Sequence, residues 1–111
     1  MTYIFGGTSA GSPQWAGIVA LANQAAGKRL GFINAALYRI GRSPFYHTAF
    51  HDTVTSNNTF TKLVASGETI TVSGYDATPH WDATTSLGTP IVSTLVPLLI
   101  TNTQADDGLG L

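Results

Sequence analysis

The chain has 111 residues, of which 43% are hydrophobic and only 10% charged, with a mean hydropathy of +0.15 and a formal net charge of −1. That is material for one globular core, and the five scattered Lys and Arg form no basic stripe of the kind that neutralises a nucleic-acid backbone. The absence of cysteine excludes a disulfide framework and thiolate metal sites, and the low charge fraction, against roughly 25% in average domains, leaves neutral surface suited to cover by further polypeptide.

In chain order, Tyr3 to Phe5 reads as a strand end running into the turn residues Gly6 and Gly7. Ser12 as N-cap and Pro13 as first helical residue predict a helix, because proline's missing N–H would be unpaired there anyway. Trp15, Ile18, Val19 and Ala22 recur at helical spacing among small residues, so this helix is expected to be mostly buried, with Gly27 as its left-handed stop. A second, shorter helix is predicted from Asn34 as N-cap to Gly41.

Residues 42–60 read as a loop rich in oxygen ligands, and Thr69 to Ser73 as a strand preceded by a turn at Ser66-Gly67. Residues 74–90 are punctuated by Gly, Pro, Asp and Thr. Ile91 to Leu99 suggests a last helix that Pro97 would kink or end early, and residues 101–111 are expected to be frayed or disordered. No apolar stretch is long enough to span a bilayer, and the start lacks the charge and apolar regions of a signal peptide.

Ser9 lies just upstream of the predicted first helix, where its hydroxyl would share space with unpaired backbone N–H groups able to hold an oxyanion. A serine so placed serves equally well as a helix cap. Gly7-Thr8-Ser9-Ala10-Gly11 also fits the GxSxG nucleophile elbow of α/β-hydrolases, with Asp52 or Asp76 and then His80 as the downstream acid and base. Asp52 and Asp82 are by themselves either loop-organising Asx residues or oxygen ligands for a hard cation.

The longer string GTSAGSPQWAG, together with FHD at Phe50 to Asp52, GYDATPHWD at Gly74 to Asp82 and SLGTP at Ser86 to Pro90, resembles the C-terminal part of the sedolisin family, the serine-carboxyl peptidases, over roughly residues 3 to 100. The resemblance implies an α/β fold, the C-terminal portion of a subtilisin-like three-layer domain, with residues 1–111 as a partial catalytic domain. It implies Ser9 as the nucleophile that attacks a peptide carbonyl in peptide or protein substrates. The family's base glutamate and its two aspartates lie upstream of the serine, so none is assigned here and the isolated chain is expected to be inactive. The resemblance further implies one Ca2+ ion held by the side chains of Asp52 and Asp82 and the carbonyls of Thr53, Thr78 and His80. It also implies secretion and work at acidic pH. Thr78, His80 and Ser86 stand where the family usually has glycine. The alternative reading is a non-catalytic, calcium-stabilised remnant acting as an interaction module.

Overall fold

The computed structural model describes residues 2–4 and 6–107, with side chains through residue 103. Helix α1 spans Thr8–Ala26, α2 Asn34–Gly41 and α3 Tyr46–Ala49; strand β1 is Phe50–His51, β2 Phe60–Leu63, β3 Thr69–Val72 and β4 Thr89–Pro90; helix α4 closes the order at Val92–Asp107. The result is a mixed helix and small-sheet unit with two separate antiparallel ribbons, β1 with β4 and β2 with β3. That is consistent with a piece of an α/β protein.

The core forms where α1, α2 and α3 meet α4. Leu95 and Leu99, one helical turn apart on α4, are fully buried against Ala22, Ala36, Ile40, Tyr46, Ala49 and Phe50, with Leu87 closing one side. This stripe explains why α4 runs past Pro97 instead of ending there. Pro97 removes one backbone donor, yet the apolar face continues through it to Thr103, whose hydroxyl bonds back to the Leu99 carbonyl at 2.8 Å. The expected fraying from residue 101 is therefore replaced by helix up to Asp107; residues 108–111 lie outside those described.

Helix α1 also departs from the expectation. It begins at Thr8, not after Ser12, because Gly7 takes φ 80° and ψ 176°, a conformation open to glycine alone, and turns the chain into the helix four residues early. Pro13 thus lies inside the helix. Nor is α1 mostly buried: only Ile18 and Ala22 are, and Leu21 is half exposed. Its apolar residues surround the helix, and this chain supplies neighbours on one side only. Tyr3 and Ile4 are exposed and form no strand, while Phe5 lies outside the described residues.

The end of α1 and the extent of α2 follow the sequence reading, but Asn34 is the first helical residue of α2 and Ile33 holds the cap position without a side-chain hydrogen bond. Gly27 adopts φ 72°, and the amides of Gly27 and Lys28 bond to the carbonyls of Gln24 and Asn23. The predicted strand at residues 69–73 is β3, and its partner β2 begins at Phe60, the last residue of the expected loop, and runs through residues 61–63, for which no element was expected. In register, Phe60 faces Val72 and Lys62 faces Ile70, and every residue of both strands is exposed.

Candidate functional site

Ser9 sits in the first turn of α1 with its side chain exposed. The Ala10 amide bonds back to the Gly7 carbonyl at 3.1 Å, leaving the Thr8 and Ser9 amides without an intrahelical acceptor. Pro13, four residues on, has no N–H to give the Ser9 carbonyl. The serine therefore lies beside backbone donors that the helix itself does not use, at the positive end of a 19-residue helix. No histidine or carboxylate among the described residues hydrogen-bonds its hydroxyl, which removes the support for an elbow with His80 as base.

The second cluster is built by β1, β4 and the loop between β3 and β4. Asp52 follows β1 directly, and β1 is held by the pairs Phe50 with Pro90 and His51 with Thr89. Gly88, at φ 94°, lets its backbone lie against the His51 carbonyl, where any Cβ would collide. From the other direction, the Ala77 amide bonds the Ser56 carbonyl at 2.8 Å and an isolated bridge joins Asn57 to Asp76. These ties bring residues 78–82 back onto Asp52.

Both carboxylates then grip that segment. The His80 amide donates to Asp52 Oδ2 at 2.6 Å, and the Thr78 amide donates to Asp82 Oδ2 at 3.2 Å. Asp82, nearly buried, also accepts from the amides of Thr84 and Thr85 at Oδ1 (3.0 and 2.7 Å) and from the Thr85 hydroxyl. Burial works against its charge, but the donors from Thr85, Thr78 and Thr84 outweigh it and hold the carboxyl below the ordinary value. Asp82 thus organises its own turn as an Asx residue does, closed by the bridge to Ser86.

Asp52 is different. Its Oδ1 is buried and has no hydrogen-bond partner. An unpaired carboxylate oxygen away from water is unfavourable unless a cation or a proton meets it. Nearby Tyr46 is buried with its hydroxyl donating to the Leu87 carbonyl at 2.7 Å, and its pKa is pushed up to about 12 by burial first, then by a side-chain hydrogen bond toward Asp52 and by the negative charge of Asp52 and Asp82. The two carboxylates thus make the surroundings of Tyr46 negative.

Of the five residues expected to hold a cation, the structure gathers Asp52, Thr78, His80 and Asp82 around one loop, and Thr53 follows Asp52 in the chain, half-buried. What it displays at Thr78 and His80 is amides turned to the carboxylates, not a carbonyl cage. Among the described residues no three side chains of His, Cys, Asp or Glu converge as metal ligands, so a cation there depends on backbone oxygens as well. His80 and Ser86 have φ of 66° and 56°, the left-handed values that favour glycine, whereas Thr78 does not. The sequence reading missed the ring cluster of Tyr46, His47 and His80, and a cleft lined by Tyr38, Arg42, Ser43, His80 and Trp81, in which Trp81 is half exposed. The spacing of these residues carries no signal, since the loop that joins them is irregular.

No family model matches the chain, and no solved structure matches it. Curated relatives do. The chain is 38% identical over 99 residues to kumamolisin of Bacillus sp. (strain MN-32), covering 89% of this chain and 16% of that protein. It is 41% identical over 105 residues to tripeptidyl-peptidase sed4 of Aspergillus fumigatus, covering 88% and 18%, and 36% identical over 100 residues to tripeptidyl-peptidase SED4 of Arthroderma otae, covering 85% and 16%. The chain thus spans between 16% and 18% of the length of these relatives.

Proposed function

Because the chain belongs to the sedolisin family, matching its C-terminal part, we propose that it is the nucleophile-bearing segment of a serine-type endopeptidase, with Ser9 as nucleophile and a structural calcium ion at Asp52 and Asp82. In this reading Ser9 Oγ gives its proton to a carboxylate base and bonds to the substrate carbonyl carbon. The protonated amine leaves, and water then hydrolyses the ester. In this reading the amides at the start of α1 polarise the carbonyl oxygen. None of the acids in these residues matches the family's base or its two aspartates, so the segment needs further polypeptide to act. A serine hydroxyl without its base is a weak nucleophile. The purified 111-residue chain is therefore expected to show no Ser9-dependent cleavage of a peptide library at acidic or neutral pH, and cleavage abolished by Ser9→Ala would overturn that.

The observation that carries the calcium reading is the buried, partnerless Oδ1 of Asp52. Calcium takes about six to eight oxygens from irregular loops. Asp52 would supply this oxygen, Asp82 Oδ2 a second, and the carbonyls of Thr53, Thr78 and His80 the remainder of the protein donors. Calcium saturation is expected to raise the melting temperature by several degrees, and Asp52→Asn to remove most of that rise. Identical melting curves in calcium and in chelator would refute it.

The second reading, a non-catalytic interaction module, is favoured by one feature. Tyr3, Ile4 and Phe32 stand exposed near the ends of α1, Ile4 and Phe32 almost completely.

A further inference from the structure

His47 and His80 come from separate parts of the chain, the four-residue helix α3 and the loop before Asp82, yet their ring centres lie 5.7 Å apart. Both side chains are exposed. With metal–nitrogen bonds of about 2.0–2.1 Å, two imidazoles on one tetrahedral ion have ring centres about 5 to 6 Å apart. The observed separation falls in that interval before any ion is considered.

The pair is also held in place. The Tyr46 ring, buried and anchored by its hydroxyl to the Leu87 carbonyl, stacks on His80 at 5.5 Å and 26° and touches His47 at 4.9 Å. His80 is fixed by its backbone, since its amide bonds Asp52 and its φ of 66° is one that a residue with a side chain adopts at a cost. A side chain kept at such a position, against its neighbour on α3, asks for a use of the ring itself. The negative charge of Asp52 behind this loop favours a cation on its outer side.

We propose that His47 and His80 form a two-imidazole site for a borderline-soft divalent metal, with zinc as the fitting probe and water completing the shell. It is separate from the oxygen site at Asp52 and does not rest on the peptidase reading: imidazole suits zinc, nickel and copper, whereas calcium takes oxygen. The two sites share the 80 position, one through the ring and the other through the backbone, so occupation of one bears on the other.

The test is calorimetric titration of zinc into the untagged 111-residue chain in saturating calcium, with the histidine ring protons followed by NMR. One zinc per chain is expected, shifting the ring resonances of His47 and His80 together. His47→Ala and His80→Gly, the latter suited to the left-handed backbone, should each weaken binding about tenfold or more, and His51→Ala should leave it unchanged. Absence of saturable zinc uptake, equal uptake by the His47 and His80 variants, or loss of uptake only in Asp52→Asn with the ring resonances unmoved would each overturn the site.

Discussion

At the scale of single residues, Asp82 and Asp52 show how the same side chain can do opposite work. Asp82 accepts at both oxygens from amides and a hydroxyl of its own turn; Asp52 accepts the His80 amide at Oδ2 and leaves a buried Oδ1 without a hydrogen-bond partner. Since the folded state lowers the Asp82 carboxyl below its ordinary 3.8, its contribution to stability is present above that value and lost as pH falls through the lower folded one. Replacement by Asn should flatten the acid limb of a stability-against-pH curve measured by thermal unfolding; an unchanged limb would count against this role. The strained residues give a second expectation. Ser86→Gly should stabilise by about 1 kcal/mol in denaturant unfolding, because glycine takes φ 56° without the steric cost, although its own chain entropy reduces the gain.

The sequence disclosed this cluster unevenly. Asp52 and Asp82 were legible as a pair through the resemblance, and the glycine replacements at 80 and 86 do occupy left-handed backbone. The glycine expected at 78 has no such reason in the observed φ. The ring cluster was illegible, because it depends on Tyr46 and His80 meeting across a loop without periodicity.

At the scale of elements, what could be read was what local chemistry dictates. Helix α2 lies where Asn34 and Gly41 bound it, and Gly27 ends α1 as a left-handed glycine should. Misreadings arose where a strong local signal met a stronger one. Ser12-Pro13 looks like a helix start, but Gly7 had already set the backbone; Pro97 looks like a stop, but Leu95 and Leu99 on either side of it anchor α4 to the core. Strand β2 was invisible because neither face of its ribbon is buried, so no alternation was imposed on its sequence. The short pairing of β1 with β4 is the element that matters most for the carboxylates. Gly88→Ala would force the backbone away from His51 and displace Asp52. It is expected to cost more than about 1 kcal/mol of stability and to abolish the calcium-dependent rise in melting temperature; a variant that keeps the full rise would show the pairing to be dispensable.

At the scale of the whole molecule, the chain exposes 7950 Å² and has a radius of gyration of 17.8 Å. A compact monomer of this mass would expose about 5,800 Å², with a radius near 13 Å. The excess, roughly 2,000 Å², is more than twice the roughly 800 Å² that each partner buries in a standard protein interface. It includes Ile4, Phe32 and the β2–β3 ribbon with Phe60, Leu63, Ile70 and Val72. The isolated chain is accordingly expected to self-associate at micromolar concentration in sedimentation experiments and to bind an apolar dye, and Ile4→Ser with Phe32→Ser to reduce both. A strictly monomeric, dye-silent chain would contradict it.

The clasp between the carboxylate of residue 52 and the loop at residue 80 ties together points 28 positions apart in a polypeptide without cysteine. By the chain-entropy estimate used for covalent cross-links, a permanent tie across that span would be worth about 3 to 4 kcal/mol. If the proposed calcium ion seats there, the tie becomes an ionic rivet that no reductant can open but acid or a chelator can, and the stiffness of this region would follow the mineral content of its surroundings and not their redox state.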